Sequence, residues 1–155
     1  MNIEALPHIT ASHLVKSVDL NHHGTLYAGR MAEWVVEVGF MTARAALACP
    51  PENIVCVRLH GMDFRESVAS GETIVLEGRM AYVGRSSLTV HVEARKLHAM
   101  QETKVPTDGL VTFVHIVEGQ AVPHGLSIVP PETKQGKQLW AHIEAERAQL
   151  KNRPT

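Results

Sequence analysis

Two glutamates and two arginines lie on an otherwise apolar stretch of the chain between residues 25 and 48. They are Arg30, Glu33, Glu37 and Arg44. Their spacing of three, four and seven residues places them on one stripe of a helix. Carboxylates in such a position can activate water or attack an electrophile directly. Alternatively, Arg30, Glu33 and Glu37 form a structural ion network at the protomer interface, because buried charges need partners.

A loop rich in turn-forming residues comes immediately before this stretch and contains Asn21, His23 and Gly24. Gly24, like Gly29 further on, lets a ligand approach the backbone closely, or it only shapes the turn. Asn21 carries an amide that can hold a water or a carbonyl oxygen, or it caps its own turn. Gly24, Gly29 and Asn21 are therefore either ligand-binding or purely structural residues.

The histidines and cysteines do not fall at the spacings of known metal sites. His22 and His23 are adjacent and therefore point in different directions, and the sequence contains no HExxH or Cys-rich motif. We predict no metal ion and no cofactor. Cys49 and Cys56 are expected to be reduced thiols, without an activating base beside either of them. His60 is a secondary candidate, because a single histidine on a strand is more often structural than catalytic.

Hydrophobic patterning predicts the elements that position these residues. Residues 25–48 are apolar almost all round, which predicts a helix buried on most faces. Its N-cap is Thr25, or the helix starts a few residues later. A strand is predicted over 9–20. Four further strands are rich in Val, Thr, Ile and Leu and end at turn-forming residues. They are predicted at 54–64, 72–83, 87–97 and 109–117.

The order of these elements predicts the fold class. Gly84 separates two long alternating runs, so a hairpin is predicted at 83–86, and consecutive antiparallel strands are expected to follow. A strand, a long apolar helix and then four strands give an α+β fold in which one sheet must wrap the helix. At 155 residues, the chain is expected to form a single domain over 1–155.

The C-terminal segment predicts a helical extension and points to self-association. Residues 131–153 have Leu139, Ile143 and Leu150 on one helix face and many charges elsewhere, so this helix is expected to pack loosely on the outside or to mediate assembly. One protomer would leave a sheet edge and one side of the apolar helix open. Pairing two copies would cover both, so we expect a homo-oligomer with a dimer as its minimum unit.

Composition argues against several classes of partner. The chain has 45% hydrophobic and 20% charged residues, a net charge of -1 and a pI near 6.8. No general attraction to nucleic acid is therefore expected. The first residues lack a basic segment followed by an apolar one, and no later apolar stretch is long enough to cross a bilayer. We expect a cytoplasmic protein without nucleic-acid or membrane partners.

Four motifs in a fixed order resemble a known family. NHHGTLYAG at 21–29 resembles the signature of hot-dog acyl-CoA thioesterases, in which an Asn, a Gly and an aromatic-Gly-Gly run lead into the central helix. Ala28 replaces the middle Gly. GMDF at 61–64 with VASGE at 68–72, VGRSSLTV at 83–90 and VTFV at 111–114 also resemble family motifs. The resemblance implies a single hot-dog domain, in which a curved antiparallel sheet wraps a long central helix.

The resemblance also implies an activity, which is hydrolysis of an acyl-CoA thioester to a free acid and CoA. Acyl-CoA is then the substrate, and no cofactor is needed. Thioester hydrolysis requires a group that polarises the carbonyl and a carboxylate that activates water. In the family, backbone N–H groups at the helix start polarise the carbonyl, which implies this role for Gly29. Asn21 falls on the family's catalytic Asn.

The family's catalytic acid falls on Val36 in this alignment, so another carboxylate is needed. Glu33 lies one turn earlier on the same face, whereas Glu37 is rotated by about a hundred degrees. In fluoroacetyl-CoA thioesterase, another hot-dog enzyme, a Thr precedes a catalytic Glu followed by Trp. Thr25 with Glu33 and Trp34 is similar in spacing. We therefore predict Glu33 as base or nucleophile and Thr25 as its partner.

Coenzyme A carries phosphates and an adenine, so its site requires cations and backbone donors. The predicted hairpin turn is the candidate for this site, with Arg65, Arg95 and Lys96 behind it. Ordinary solvated surface is the alternative interpretation of these charges. The predicted substrate contacts are His23, Gly24, Phe64, Gly84, Arg85, Ser86 and Ser87.

Two other functions are considered, because hot-dog folds also serve other reactions. The first is a non-catalytic acyl-CoA binding or sensing protein, which is consistent with Val36 at the acidic position. The second is a dehydratase that pairs a loop His with a helix Glu, for which His23 and Glu33 are similar but too closely spaced. The resemblance favours dimers that assemble into a tetramer or a hexamer.

Overall fold

The chain folds into two helices and six strands over the residues that this computed structural model describes, 5–97 and 106–151. Neither helix in these ranges combines the length and the apolarity that crossing a membrane requires. The elements are β1 (His8–Leu14), α1 (Ala28–Leu47), β2 (Ile54–Phe64), β3 (Thr73–Val83), β4 (Ser87–Lys96), β5 (Thr107–Val117), β6 (Gln120–Ala121) and α2 (Lys134–Lys151).

The strands form one antiparallel sheet in the order β1-β3-β4-β5-β2, and the short β6 pairs with β5. The predicted hairpin at 83–86 joins β3 to β4. The expectation that consecutive strands pair is wrong for β2, which pairs with β5 and not with β3. The chain returns from β2 to the middle of the sheet through the segment 65–72, so β2 is left at the sheet edge opposite β1.

The helix α1 lies against the inner face of the sheet, which is the hot-dog arrangement expected from the sequence. Successive strand residues alternate between the two faces, so Leu76, Val90 and Phe113 all pack on the helix side and are fully buried. The helix contributes seven buried residues to the same core. These are Met31, Trp34, Val35, Val38, Gly39, Thr42 and Ala43.

The opposite face of α1 is open in a single chain and carries the charged stripe. Glu33, Glu37 and Arg44 are exposed, and Arg30 is half-buried. An open side of α1 in a single chain is what the sequence predicted for one protomer. The physical reason is that a single curved sheet can cover only one side of a helix.

β1 is shorter than predicted, because the chain turns soon after it. The strand ends at Leu14 and does not continue to residue 20. A 3-10 turn follows at Ser17–Asp19, in which the buried Asp19 carboxylate accepts the Lys16 N–H at 2.9 Å. A local side-chain hydrogen bond of this kind competes with extension of the strand.

The helix α2 packs across the outer face of the sheet, in agreement with the predicted position of the C-terminal helix. It starts at residue 134, three residues later than predicted, and residues 152 and 153 lie outside the described ranges. Ile143 is buried against Ala81 and Leu110, with Leu139 and Leu150 beside it. The contact is close, because Ile143 is only 2% exposed.

A polar cluster lies beside these apolar contacts. Burial alone would raise the pKa of Asp108, but hydrogen bonds from His91, His142 and Arg65 hold it well below its usual range. Burial and the nearby negative charge of Asp108 raise the pKa of Glu146 to about 7. The outer face of the sheet therefore carries a concentrated set of ionisable groups under α2.

Gly78 on β3 lies beneath α1, so a substitution at this position reports how tightly the helix packs on the sheet. A Cβ at this position would overlap Thr42 Oγ1 and lie 3.0 Å from Val38 Cγ1. The buried Thr42 hydroxyl donates to the Val38 carbonyl at 2.7 Å, so its rotation would break that hydrogen bond. Gly78→Ala should therefore lower the free energy of unfolding by about 1–3 kcal/mol, measured by urea denaturation.

The control for this prediction removes the atom that the new Cβ would overlap. In the double variant Gly78→Ala with Thr42→Ala, the loss of stability should be smaller than the sum of the two single losses. Strictly additive losses would contradict a steric contact between these two positions.

Candidate active site

The loop before α1 is held by the side chain of Asn21. Its Oδ1 accepts the N–H of His23 at 2.8 Å and that of Thr25 at 3.2 Å, while its Nδ2 donates to Thr25 Oγ1 at 3.1 Å. Gly24 adopts a φ of +77°, a conformation that favours glycine. Asn21 thus fastens its own turn, and only the second hydrogen of Nδ2 is left for a ligand.

Thr25 belongs to this loop and not to the helix. α1 begins at Ala28, with Tyr27 in the N-cap position, so Thr25 is not the N-cap and the predicted alternative of a start a few residues later is confirmed. The reason is that Thr25 forms an isolated bridge with Ala69, which keeps its backbone extended. Its hydroxyl is occupied by the side chain of Asn21.

Two backbone N–H groups at the start of α1 are free to bind a ligand. The Tyr27 carbonyl accepts the N–H of Arg30 at 3.0 Å and that of Met31 at 3.2 Å. The N–H groups of Ala28 and Gly29 have no acceptor in the described part of the chain. A Cβ at Gly29 would overlap the Tyr27 ring, so this exposed side chain would have to move. The free donors lie at the positive end of the helix dipole.

A cavity of about 300 Å³ lies beside this helix start. Three of the predicted site residues, Asn21, Thr25 and Phe64, line it. The sequence analysis did not predict Glu66 in its wall, because nothing in the local sequence distinguishes this residue from other loop carboxylates. The lining residues are Asn21, Thr25, Leu26, Ala28, Met31, Phe64, Arg65, Glu66, Ser67, Val68 and Pro106.

Glu33, the predicted base, does not line this cavity in a single chain. Its side chain is 53% exposed, and its carboxylate pairs with Arg30 at 3.1 Å. Arg30 also pairs with the buried Asp19 at 3.2 Å, so Glu33, Arg30 and Asp19 form an ion network within one chain. Glu33 nevertheless lies one turn after Gly29 on the same helix face, about 6 Å along the axis. Val36 is half-buried one turn further on.

The other predicted substrate contacts lie away from the cavity within one chain. His23 is exposed and contacts the ring of His22. The turn at 84–87 lies at the start of β4, where Ser87 pairs with Val114. Ala94, seven residues further along β4, pairs with Thr107 next to the cavity. Seven strand residues span about 24 Å, so a single chain does not bring the turn and the cavity together.

Of the three cations predicted near coenzyme A, one lines the cavity. Arg65 is in the cavity wall, and Lys96 binds Glu66 of that wall at 2.8 Å. Burial opposes the charge of Lys96, but contacts with Glu66 and Glu72 raise its pKa overall. Arg95 pairs instead with Glu77.

His60 points away from α1. His60 on β2 lies opposite Leu110 on β5, and Leu110 packs under α2 on the outer face of the sheet. The His60 Nε2 lies 3.0 Å from Thr112 Oγ1. Burial, and then the charge of Arg58, lower its pKa. Both cysteines are free thiols, as expected, with Cys49 half-buried and Cys56 exposed.

Comparison with known proteins agrees with this architecture. A family model described as the thioesterase superfamily matches residues 23–102. YkhA of Bacillus subtilis (strain 168), named an uncharacterized acyl-CoA thioester hydrolase, is 28% identical to this chain over 138 residues. The match covers 88% of this chain and 77% of YkhA.

Two solved structures resemble the whole fold. One, an apo-hexameric acyl-CoA thioesterase, has a TM-score of 0.79 and 25% identity and covers 97% of this chain and 94% of that chain. The other is an acyl-CoA hydrolase from Staphylococcus aureus in complex with butyryl coenzyme A, coenzyme A and coenzyme A disulfide, with a TM-score of 0.79 and 20% identity. It covers 93% of this chain and 86% of that chain. Because the family model matches half of the chain, this protein belongs to the thioesterase superfamily.

Proposed function

We propose that this protein hydrolyses the thioester of an acyl-CoA to a free acid and CoA at the start of α1. The observation that carries the proposal is the pair of free N–H groups on Ala28, which lines the cavity, and on the adjacent Gly29, which does not. Such donors stabilise the negative charge that develops on a carbonyl oxygen when a nucleophile attacks. The names of YkhA and of the two structural neighbours support the same substrate class.

The proposed reaction is a single addition and elimination at the thioester carbonyl. Glu33 accepts a proton from water as the water oxygen adds to the carbonyl carbon. The N–H groups of Ala28 and Gly29 hold the resulting oxyanion. The C–S bond then breaks, and the proton returns from Glu33 to the sulfur of CoA. The remaining N–H of Asn21 is placed to orient the carbonyl or the water.

Glu33 is preferred over Glu37 because of its position relative to Gly29. Residues four apart on a helix lie on the same face, one turn from each other. Glu37 lies two turns from Gly29 and is about a hundred degrees further round the axis than the face of Val36. The ion pair with Arg30 restrains the Glu33 carboxylate on that face.

We further propose that the complete site requires a second copy of the chain. The β2 edge has no partner strand among the described residues and exposes Val55, Val57 and Leu59. Met41, on the open side of α1, is exposed as well. Pairing of β2 edges would cover these apolar side chains and extend the sheet. Assembly of such dimers into a hexamer is consistent with the hexameric neighbour.

A second copy would also resolve the placement of the coenzyme A contacts. In one chain, about 24 Å of β4 separates the turn at 84–87 from the residues next to the cavity. Arg85 is exposed, while His124 and His115 fix the backbone of the turn by hydrogen bonds to Arg85, Ser86 and Ser87. We propose that the turn of one copy binds the phosphates of an acyl-CoA whose thioester lies in the cavity of another.

Non-catalytic binding of acyl-CoA is the second candidate function. Val36 at the family's acidic position favours it, and so does the cavity wall, where Glu66 is the one carboxylate and is engaged by Lys96. A binding protein would retain acyl-CoA without releasing free CoA, so turnover distinguishes the two functions.

The proposal predicts that Glu33→Gln lowers kcat by about 10²–10⁴-fold, because Gln keeps the shape of the side chain but cannot accept the proton. Release of free CoA from acetyl- to palmitoyl-CoA would be followed by chromatography. Glu37→Gln is the matched control, since it changes an exposed carboxylate on the same helix, and it should keep its activity. Equal losses in both variants would count against Glu33 as the base. Acyl-CoA binding without turnover in the unsubstituted protein would favour the second candidate.

The proposed assembly predicts that Val57→Lys produces a smaller oligomer, because a charge at the β2 edge opposes strand pairing. Val57 is 55% exposed in one chain, so the substitution does not disturb the core. The molar mass would be measured by light scattering after gel filtration. Val18→Lys, at a site that is 74% exposed and remote from β2, is the control. An unchanged mass for Val57→Lys would exclude this edge as the interface.

A further inference from the structure

Four ionisable side chains converge on the outer face of the sheet, opposite the proposed active site. His91 lies on β4, Asp108 on β5, and His142 and Glu146 on α2. One ligand atom from each lies within 4.8 Å of the others. His91 and Asp108 are almost fully buried, and His142 is half-exposed, so the group can be reached from solvent.

Two imidazole nitrogens meet at one oxygen of Asp108. The Nε2 atoms of His91 and His142 each lie 2.8 Å from the same oxygen, Oδ2 of Asp108. The Oε1 of Glu146 lies 3.4 Å from the His142 Nε2. The Oε2 of Glu146 is buried and has no hydrogen-bond partner within the described residues. An acceptor buried in this way normally has a proton donor or a cation beside it.

Arg65 fixes the orientation of the Asp108 carboxylate. Its guanidinium binds Oδ1 of Asp108 and leaves Oδ2 to the two imidazoles. When both are ionised, the Asp108 and Glu146 carboxylates carry two negative charges, of which the Arg65 guanidinium balances one. A divalent cation bound by both carboxylates would offset their two charges and would also satisfy the unpaired Glu146 oxygen.

We propose that His91, Asp108, His142 and Glu146 bind a divalent transition-metal ion such as Zn²⁺ and thereby fasten α2 to the sheet. Two imidazoles and two carboxylates are ligands that Zn²⁺ accepts in a closed four-coordinate site. In a tetrahedral site with Zn–N and Zn–O bonds near 2.0–2.2 Å, ligand atoms lie about 3.3 Å apart, which is within the observed spread. The spacing of His142 and Glu146, four residues apart on α2, places both on one helix face.

This site could not be predicted from sequence motifs. Its ligands come from two strands and from a helix that follows them, so they do not form a compact pattern, and the sequence analysis predicted no metal. The alternative occupant of the cluster is a proton shared among the four groups. Such a network would hold α2 by hydrogen bonds alone and would not bind metal ions selectively.

The test is a titration of the full-length chain with Zn²⁺ after treatment with a chelator. Competition with a chromophoric chelator gives the affinity and stoichiometry, and Co²⁺ substitution gives a visible spectrum that reports coordination geometry. We expect one tightly held ion per chain and a higher Tm when it is bound. Loss of an outer partner of a metal ligand typically weakens metal binding by about 10–100-fold. Glu146→Gln and His142→Gln each remove a ligand itself, so each should weaken Zn²⁺ binding at least as much.

Glu144→Gln is the matched control, because it makes the same chemical change at an exposed position of the same helix. It should bind Zn²⁺ as the unsubstituted chain does. Thermal unfolding with chelator present verifies that each variant folds. If Glu146→Gln and His142→Gln bind Zn²⁺ with unchanged affinity, the ion is held by other histidines and the proposal is wrong. Failure of the unsubstituted chain to bind one ion per chain would show that protons alone occupy the cluster.

Discussion

Burial of one long apolar helix against a single curved sheet is the constraint on which the structure depends. The inner side chains of the strands, such as Phe113 and Leu76, and the helix residues that face them form one core. The contact is so close that β3 carries Gly78 beneath Thr42. A sheet that covers one side of α1 leaves its other side and its N-terminal end uncovered. The uncovered end supplies the free N–H donors, and the uncovered side supplies the surface for a second copy.

The helix start is useful for chemistry only because the loop before it is rigid. Asn21 binds two backbone N–H groups of its own turn, Leu26 donates to the Val68 carbonyl and Tyr27 donates to the Asp19 carbonyl. The chain on the N-terminal side of Ala28 is therefore fixed by several bonds. Donors that are already in position before a substrate binds stabilise developing charge without reorganisation.

Sequence patterning predicted most of the architecture because it records burial. The bounds of β2 agreed with the structure, and those of β3, β4 and β5 differed by one or two residues. Patterning did not decide between Thr25 and a later residue as the start of α1, since the bridge of Thr25 with Ala69 comes from a distant segment. It predicted that one side of α1 would be open in a single chain, which the exposed Glu33, Glu37 and Arg44 confirm.

The site was only partly predictable, because local sequence patterns do not show which distant segments come into contact. Asn21 and Thr25 are local to the helix start, and motif resemblance located them, with Phe64, around one cavity. Glu66 lies in the cavity wall, and the four side chains under α2 lie close to one another, because of tertiary contacts that no local pattern encodes. Glu33 and the turn at 84–87 remain predictions whose test requires the assembled protein.

The central claim is that the N–H groups of Ala28 and Gly29 bind the thioester carbonyl. Amide NMR spectra of the isotopically labelled protein would be recorded with two stable CoA analogues. One is a ketone with a methylene between sulfur and carbonyl, and the other is an alkyl thioether without a carbonyl. The account predicts that the amide protons of Ala28 and Gly29 move downfield with the ketone and not with the thioether. Equal shifts with both analogues, or none with either, would contradict it.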